Sequence, residues 1–134
     1  MIIAGKMEKF MGGPTLPPKT RLHVTINKEL VIGINRRCYE MIGKPAAVYL
    51  HYSREDHIIG IEPVHSFRMP AAFPVKPKTH CGWRINASPF CKHFDLRVES
   101  TERFLNPHLS KDGRMLLLNL TETVTVKQFR RRKG

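Results

Sequence analysis

Apolar and polar positions alternate from Arg21 to Ile26, with Leu22, Val24 and Ile26 against Arg21, His23 and Thr25. A period of two predicts a half-buried strand. Asn27-Lys28-Glu29 supplies a turn, and Leu30 to Ile34 predicts the returning strand. Beyond it the period changes. Cys38, Met41 and Ile42 recur at helical spacing, so a short helix is expected over Arg36 to Ile42. Asn35 is placed to cap that helix, because its side-chain oxygen can accept from a backbone N–H that the first turn leaves unpaired. Gly43 stops the helix and Pro45 forbids its continuation. Two more apolar runs, Ala46 to Tyr52 and His57 to Ile61, flank Ser53-Arg54-Glu55-Asp56 and predict a hairpin closed by Pro63.

A weaker copy of this pattern follows. IGINRRCYEMIG is echoed by GWRINASPFCKHFD, which predicts a strand over Trp83 to Ala87 and a short helix reaching Phe94. Ser88 is the candidate cap, and Pro89 suits the first helical turn. Leu96 to Phe104 and Arg114 to Leu120 are the last expected strands, separated by Asn106-Pro107 and Lys111-Asp112-Gly113. Between the copies, residues 65–82 form an extended proline-containing connector in which Ala72 to Val75 is a further strand candidate. Residues 1–20, with paired glycines and prolines, read as a flexible leader, and residues 121–134 as a basic, partly disordered tail. A unit too small to bury its own core gains one by packing against its repeat. The expected fold is therefore α+β and mainly β: a small barrel of two pseudo-repeats, 21–64 and 83–120, each with one short helix.

Length and composition leave that picture standing and add a ligand class. A chain of 134 residues with 41% hydrophobic residues suits one domain with a modest core. The net charge of +12 is uneven: residues 63–97 carry +5, six basic side chains against Asp95, and residues 121–134 carry +4. Such an excess attracts polyanions, of which nucleic acid is the commonest. Three cysteines at unrelated spacings (Cys38, Cys81 and Cys91) argue against a disulfide framework and for a reducing compartment. No apolar run approaches the roughly 18 residues that span a bilayer, and the N-terminus lacks a secretory apolar core. A cytoplasmic protein with no membrane partner is the expectation.

Strand, turn, strand, short helix ending in Gly, then a hairpin closing on Ile-x-Ile-x-Pro resembles the AbrB-type swapped-hairpin (SpoVT/AbrB-like) family. The matching residues are Val24, Ile26, Ile32, Ile34, Ile42-Gly43, Val48, Ile59, Ile61 and Pro63. The resemblance implies two interleaved units in one barrel, as a homodimer or, with tandem copies, as a monomeric pseudo-dimer. It also implies DNA binding in a transcription-regulating or antitoxin-like role. Leu30-Val31 stands where that family commonly has Gly followed by Arg or Gln, and Asn35 where it commonly has Pro.

The candidate nucleic-acid contacts follow from charge and placement. Arg36 and Arg37 at a helix start can aim guanidinium donors at phosphate oxygens. Lys28 tops the first hairpin; Arg84 and Lys92 belong to the basic second half; Arg130, Arg131, Arg132 and Lys133 form a terminal block suited to phosphate contact without sequence reading. The preferred partner is duplex DNA. Two alternatives use other chemistry: a protein-interaction barrel without DNA binding, and an RNA or ribosome binder using Phe67, Phe73 and Trp83 among basic residues. His80-Cys81 and Cys91-Lys92-His93 do not have the paired-knuckle spacing of a zinc site, so no metal or other cofactor is expected. No nucleophile–base arrangement, paired carboxylates or phosphate-cradling glycine loop is recognisable, so no enzyme is expected.

Overall fold

The computed structural model describes residues 21–66, 69–78 and 81–126. Along these residues run β1 (Val24–Ile26), β2 (Val31–Ile34), α1 (Arg36–Met41), β3 (Ala47–Ser53), β4 (Ile58–Val64), β5 (Phe73–Pro77), β6 (Trp83–Asn86), α2 (Ser88–His93), β7 (Glu102–Phe104), β8 (His108–Leu109), β9 (Leu116–Asn119) and β10 (Thr123–Thr125). The strands make one antiparallel sheet in the order β10-β7-β1-β2-β6-β5-β3-β4-β9-β8, curled into a half-barrel. The expected α+β, mainly β class is correct.

The sheet is joined through its middle. β2 pairs with β6, placing Ile32 opposite Ile85 and Ile34 opposite Trp83. β1 pairs with β7, and β3 with β5, so strands on either side of each helix pair with the other half of the chain. β5 turns the corner: Phe73 and Pro74 pair with β3, whereas Val75 to Pro77 pair with β6. Pro74 and Pro77 lack an N–H, and a strand that changes partners midway leaves room for that defect.

The alternation expected of β1 and β2 holds. Val24, Ile26, Ile32 and Ile34 point inward with Ile85, Val48, Ile59, Ile61, Leu116 and Leu118, while Cys38 and Ile42 of the first helical segment close the same core with Phe90, Cys91 and Phe104. Tyr39 of α1 stacks on Trp83 of β6 with centroids 3.9 Å apart and planes 9° from parallel. Phe94, just after α2, packs on Tyr52 of β3 at 5.1 Å. Each helix thus rests on a strand of the opposite half.

Several local expectations change. Asn35 caps α1, accepting from Cys38 N at 3.0 Å; Ser88 does not cap α2, whose cap is Ala87 with no side-chain hydrogen bond. Ser88 is already the first helical residue, and its N–H donates to Asn86 Oδ1 at 3.3 Å, so the side-chain acceptor at this helix start comes from Asn86. Of Leu96 to Phe104 only Glu102–Phe104 is strand, since the chain must first leave α2 through Asp95 in the left-handed region. The connector contains β5, and the segment read as tail contributes β10 to the sheet edge. The leader, residues 1–20, and the terminal block from Arg130 to Lys133 lie outside the described residues.

Candidate nucleic-acid interface

α1 starts where β2 ends, and the chain entering β1 passes alongside. Asn35 locks this junction three times. Its Oδ1 caps α1, its Nδ2 donates to the Arg21 carbonyl at 2.6 Å, and its backbone N–H donates to the His23 carbonyl at 3.1 Å. A proline here could not make the last bond. The turn between β5 and β6 closes the other side, with Lys78 N donating to the Gly82 carbonyl at 2.9 Å. Gly82 has φ +85, and a Cβ there would lie 2.7 Å from the Ile34 carbonyl oxygen, so only glycine lets this turn lie against the β2–α1 junction.

Between these walls is a cleft of about 690 Å³. Arg21, Arg36, Arg37 and Lys78 bring four cations to it, and Glu40 the single carboxylate. Among the described residues, no ion pair joins any of the four to a carboxylate. Its floor is Gly33, where an added Cβ would meet Lys78 Nζ at 2.5 Å and Thr25 Oγ1 at 3.1 Å; the ammonium lies directly over the glycine. His23 also lines the cleft. Burial, then the charges of Arg103, Arg21 and Lys78, push its imidazole below the usual 6.5. The field here favours negative charge.

The sequence-derived candidates divide in two. Arg36 and Arg37 line the cleft, and Arg84, exposed and directly opposite Gly33, projects to the same side of the sheet as the cleft floor. Lys28 and Lys92 do not belong there. Ala87 N donates to the Leu30 carbonyl, which places the start of α2 beside the first hairpin's turn, at the far end of β2 from α1. Four cations stand outside the duplex-contact set drawn from the sequence, Arg21, Lys76, Lys78 and Arg103, although Lys76 and Lys78 belong to the basic group on which the single-strand alternative draws. Lys76 and Lys78 were legible in the run Val75-Lys76-Pro77-Lys78, whose alternation puts both lysines on one side of a strand. Arg103 needed the β1–β7 pairing, which nothing local signals.

Cys38 and Cys91 are buried, and burial pushes their thiols up to about 12 and about 11; Cys81 is exposed at the rim of the cleft. Among the described residues no group of three or more His, Cys, Asp or Glu is arranged to hold a metal, and no helix is long and apolar enough to cross a membrane. No family model, curated protein or solved structure matches the chain.

Proposed function

We propose that this protein binds nucleic acid, duplex DNA in preference to single strands, and acts as a DNA-binding regulator. The observation that carries the reading is the cleft, where Arg21, Arg36, Arg37 and Lys78 converge with no carboxylate paired to them among the described residues. Unpaired cations held close together repel one another, and a polyanion relieves that repulsion while releasing its counterions. The single-strand alternative relies on free aromatic faces, and Trp83 has one face covered by Tyr39.

We further read the architecture as two swapped halves, β1-β2-α1-β3-β4 and β5-β6-α2-β7-β10, with β8 and β9 inserted in the second. The strand order supports this reading, because from β10 to β4 it reverses onto itself when the halves are exchanged. On this reading the first half's helix start, Arg36-Arg37, is basic and its counterpart, Ser88-Pro89, is neutral. A single chain then offers one binding face.

Fluorescence anisotropy with duplex DNA, single-stranded DNA and RNA over a salt series tests the function. Duplex binding should be tightest and fall steeply with salt. The double variant Arg36→Glu/Arg37→Glu should lose at least about tenfold in affinity and flatten the log–log slope by about 2. Absence of binding to all three at physiological salt would sink the proposal.

A further inference from the structure

Register carries the basic surface beyond the cleft. Thr25 is opposite Gly33 on one side and Arg103 on the other; Gly33 is opposite Arg84, and Arg84 opposite Lys76. Directly paired residues project to the same face of a sheet. One row therefore crosses five strands in the order Arg103, Thr25, Gly33, Arg84, Lys76. It lies outside the core, since the neighbours Val24, Ile26, Ile32, Ile85 and Phe104 are buried inward. No residue of the row is acidic. Glu102, next to Arg103, projects to the other face, where the Thr123 and Thr125 hydroxyls donate to its carboxylate at 2.9 and 2.7 Å.

Two features of the row call for an anion. Lys76 and Arg84 stand opposite each other across β5 and β6, an arrangement of like charges that costs stability. At the centre of the row, beside Thr25, Gly33 is buried beneath Lys78 Nζ, so the group presented to a phosphate there is a further cation, the ammonium itself.

We propose that one strand of the duplex runs across the sheet, perpendicular to its β-strands, with its phosphates tracking from Arg103 over Gly33 to Arg84 and Lys76. This deepens, and rests on, the nucleic-acid reading of the cleft. Four strand spacings of about 4.8 Å separate β7 from β5, roughly 19 Å in all, too far for a single phosphate to bridge. Cations at the two ends of the row thus contact different phosphates, and their contributions add.

The test measures salt dependence of duplex binding by the full chain and by Arg103→Gln, Lys76→Gln, the double variant, and Lys28→Gln and Lys92→Gln at the far end of the central strands. Each row variant should flatten the log–log slope by about 1, the double variant by about 2, and the far-end variants should leave it unchanged. Urea unfolding accompanies each, and Lys76→Gln, which removes a like-charge opposition, should not lower the midpoint. An unchanged slope in either Arg103→Gln or Lys76→Gln, with wild-type binding still sensitive to Arg36→Glu/Arg37→Glu, overturns the track and confines the ligand to the cleft. Absence of wild-type binding removes the nucleic-acid reading itself.

Discussion

His23 is a residue whose neighbours decide its chemistry. It has a carboxylate nowhere among the charges acting on it; burial and three cations, Arg103, Arg21 and Lys78, disfavour its protonated form. With the folded value below the usual 6.5, the unfolded chain binds a proton that the folded chain does not. Stability from this group is therefore complete above about 6.5 and is lost as pH falls toward the folded value. A phosphate in the cleft opposes all three cations. Its arrival should raise the His23 titration midpoint, and by linkage binding should take up a proton and strengthen as pH falls through this range. An NMR titration, with the resonance assigned by its loss in His23→Gln, reads this directly. The midpoint should move upward when inorganic phosphate or duplex DNA is added, and an unmoved midpoint would mean that no anion reaches this part of the cleft.

The two helices end alike, and the difference between their ends is informative at the scale of the element. Lys44 N donates to the Tyr39 carbonyl and Gly43 N to that of Glu40; Leu96 N donates to the Cys91 carbonyl and Asp95 N to that of Lys92. Both are Schellman closures. Gly43 adopts φ +90 without steric cost, whereas Asp95 is forced to φ +55. Asp95→Gly should therefore stabilise the protein by about 0.5–1 kcal/mol, less than the full left-handed penalty because glycine also gains freedom in the unfolded chain. Its contact with Arg97, at 3.6 Å between exposed side chains, gives up almost nothing. A higher urea midpoint at unchanged m-value checks this; a lower one would mean that the Asp95 side chain holds the turn in some other way. These ends also mark what could be read from the sequence. The Gly43 stop, the Asn35 cap and the alternation in β1 and β2 were legible because each depends on a few adjacent residues. Leu30 was not: it takes φ +65 in the first hairpin, where glycine is the usual occupant, and packs against the core. Nor could local pattern reveal β5 changing partners among prolines, or β10 and β8 at the two edges, because these short strands exist through the neighbours they pair with. In the candidate site, Arg36, Arg37 and Arg84 could be chosen by charge and position. Arg21 and Arg103 join them only once the sheet has folded.

For the molecule as a whole, the decisive fact is that neither half of the chain can complete a sheet alone. β2 needs β6, β1 needs β7 and β3 needs β5, and Ile32 and Ile85 meet fully buried at the central seam. Stripping either half away would expose the other's inner face, so both should unfold together in one transition. The thiols report on this from both sides. Cys38 belongs to the first half and Cys91 to the second; both are buried with their thiols pushed up, while Cys81 is exposed. A thiol reagent should therefore label Cys81 alone in the native protein. Along a urea series Cys38 and Cys91 should become reactive at one shared midpoint, coincident with loss of circular dichroism. Separate midpoints, with Cys91 exposed while Cys38 stays protected, would show that the halves fold independently and that the cross-half pairings do not bind them into one unit. Under native conditions Cys81 also watches the cleft. If a duplex lies there, its addition should slow the labelling of Cys81 at low salt and cease to do so as salt releases it, which links the cooperative sheet to the surface it builds.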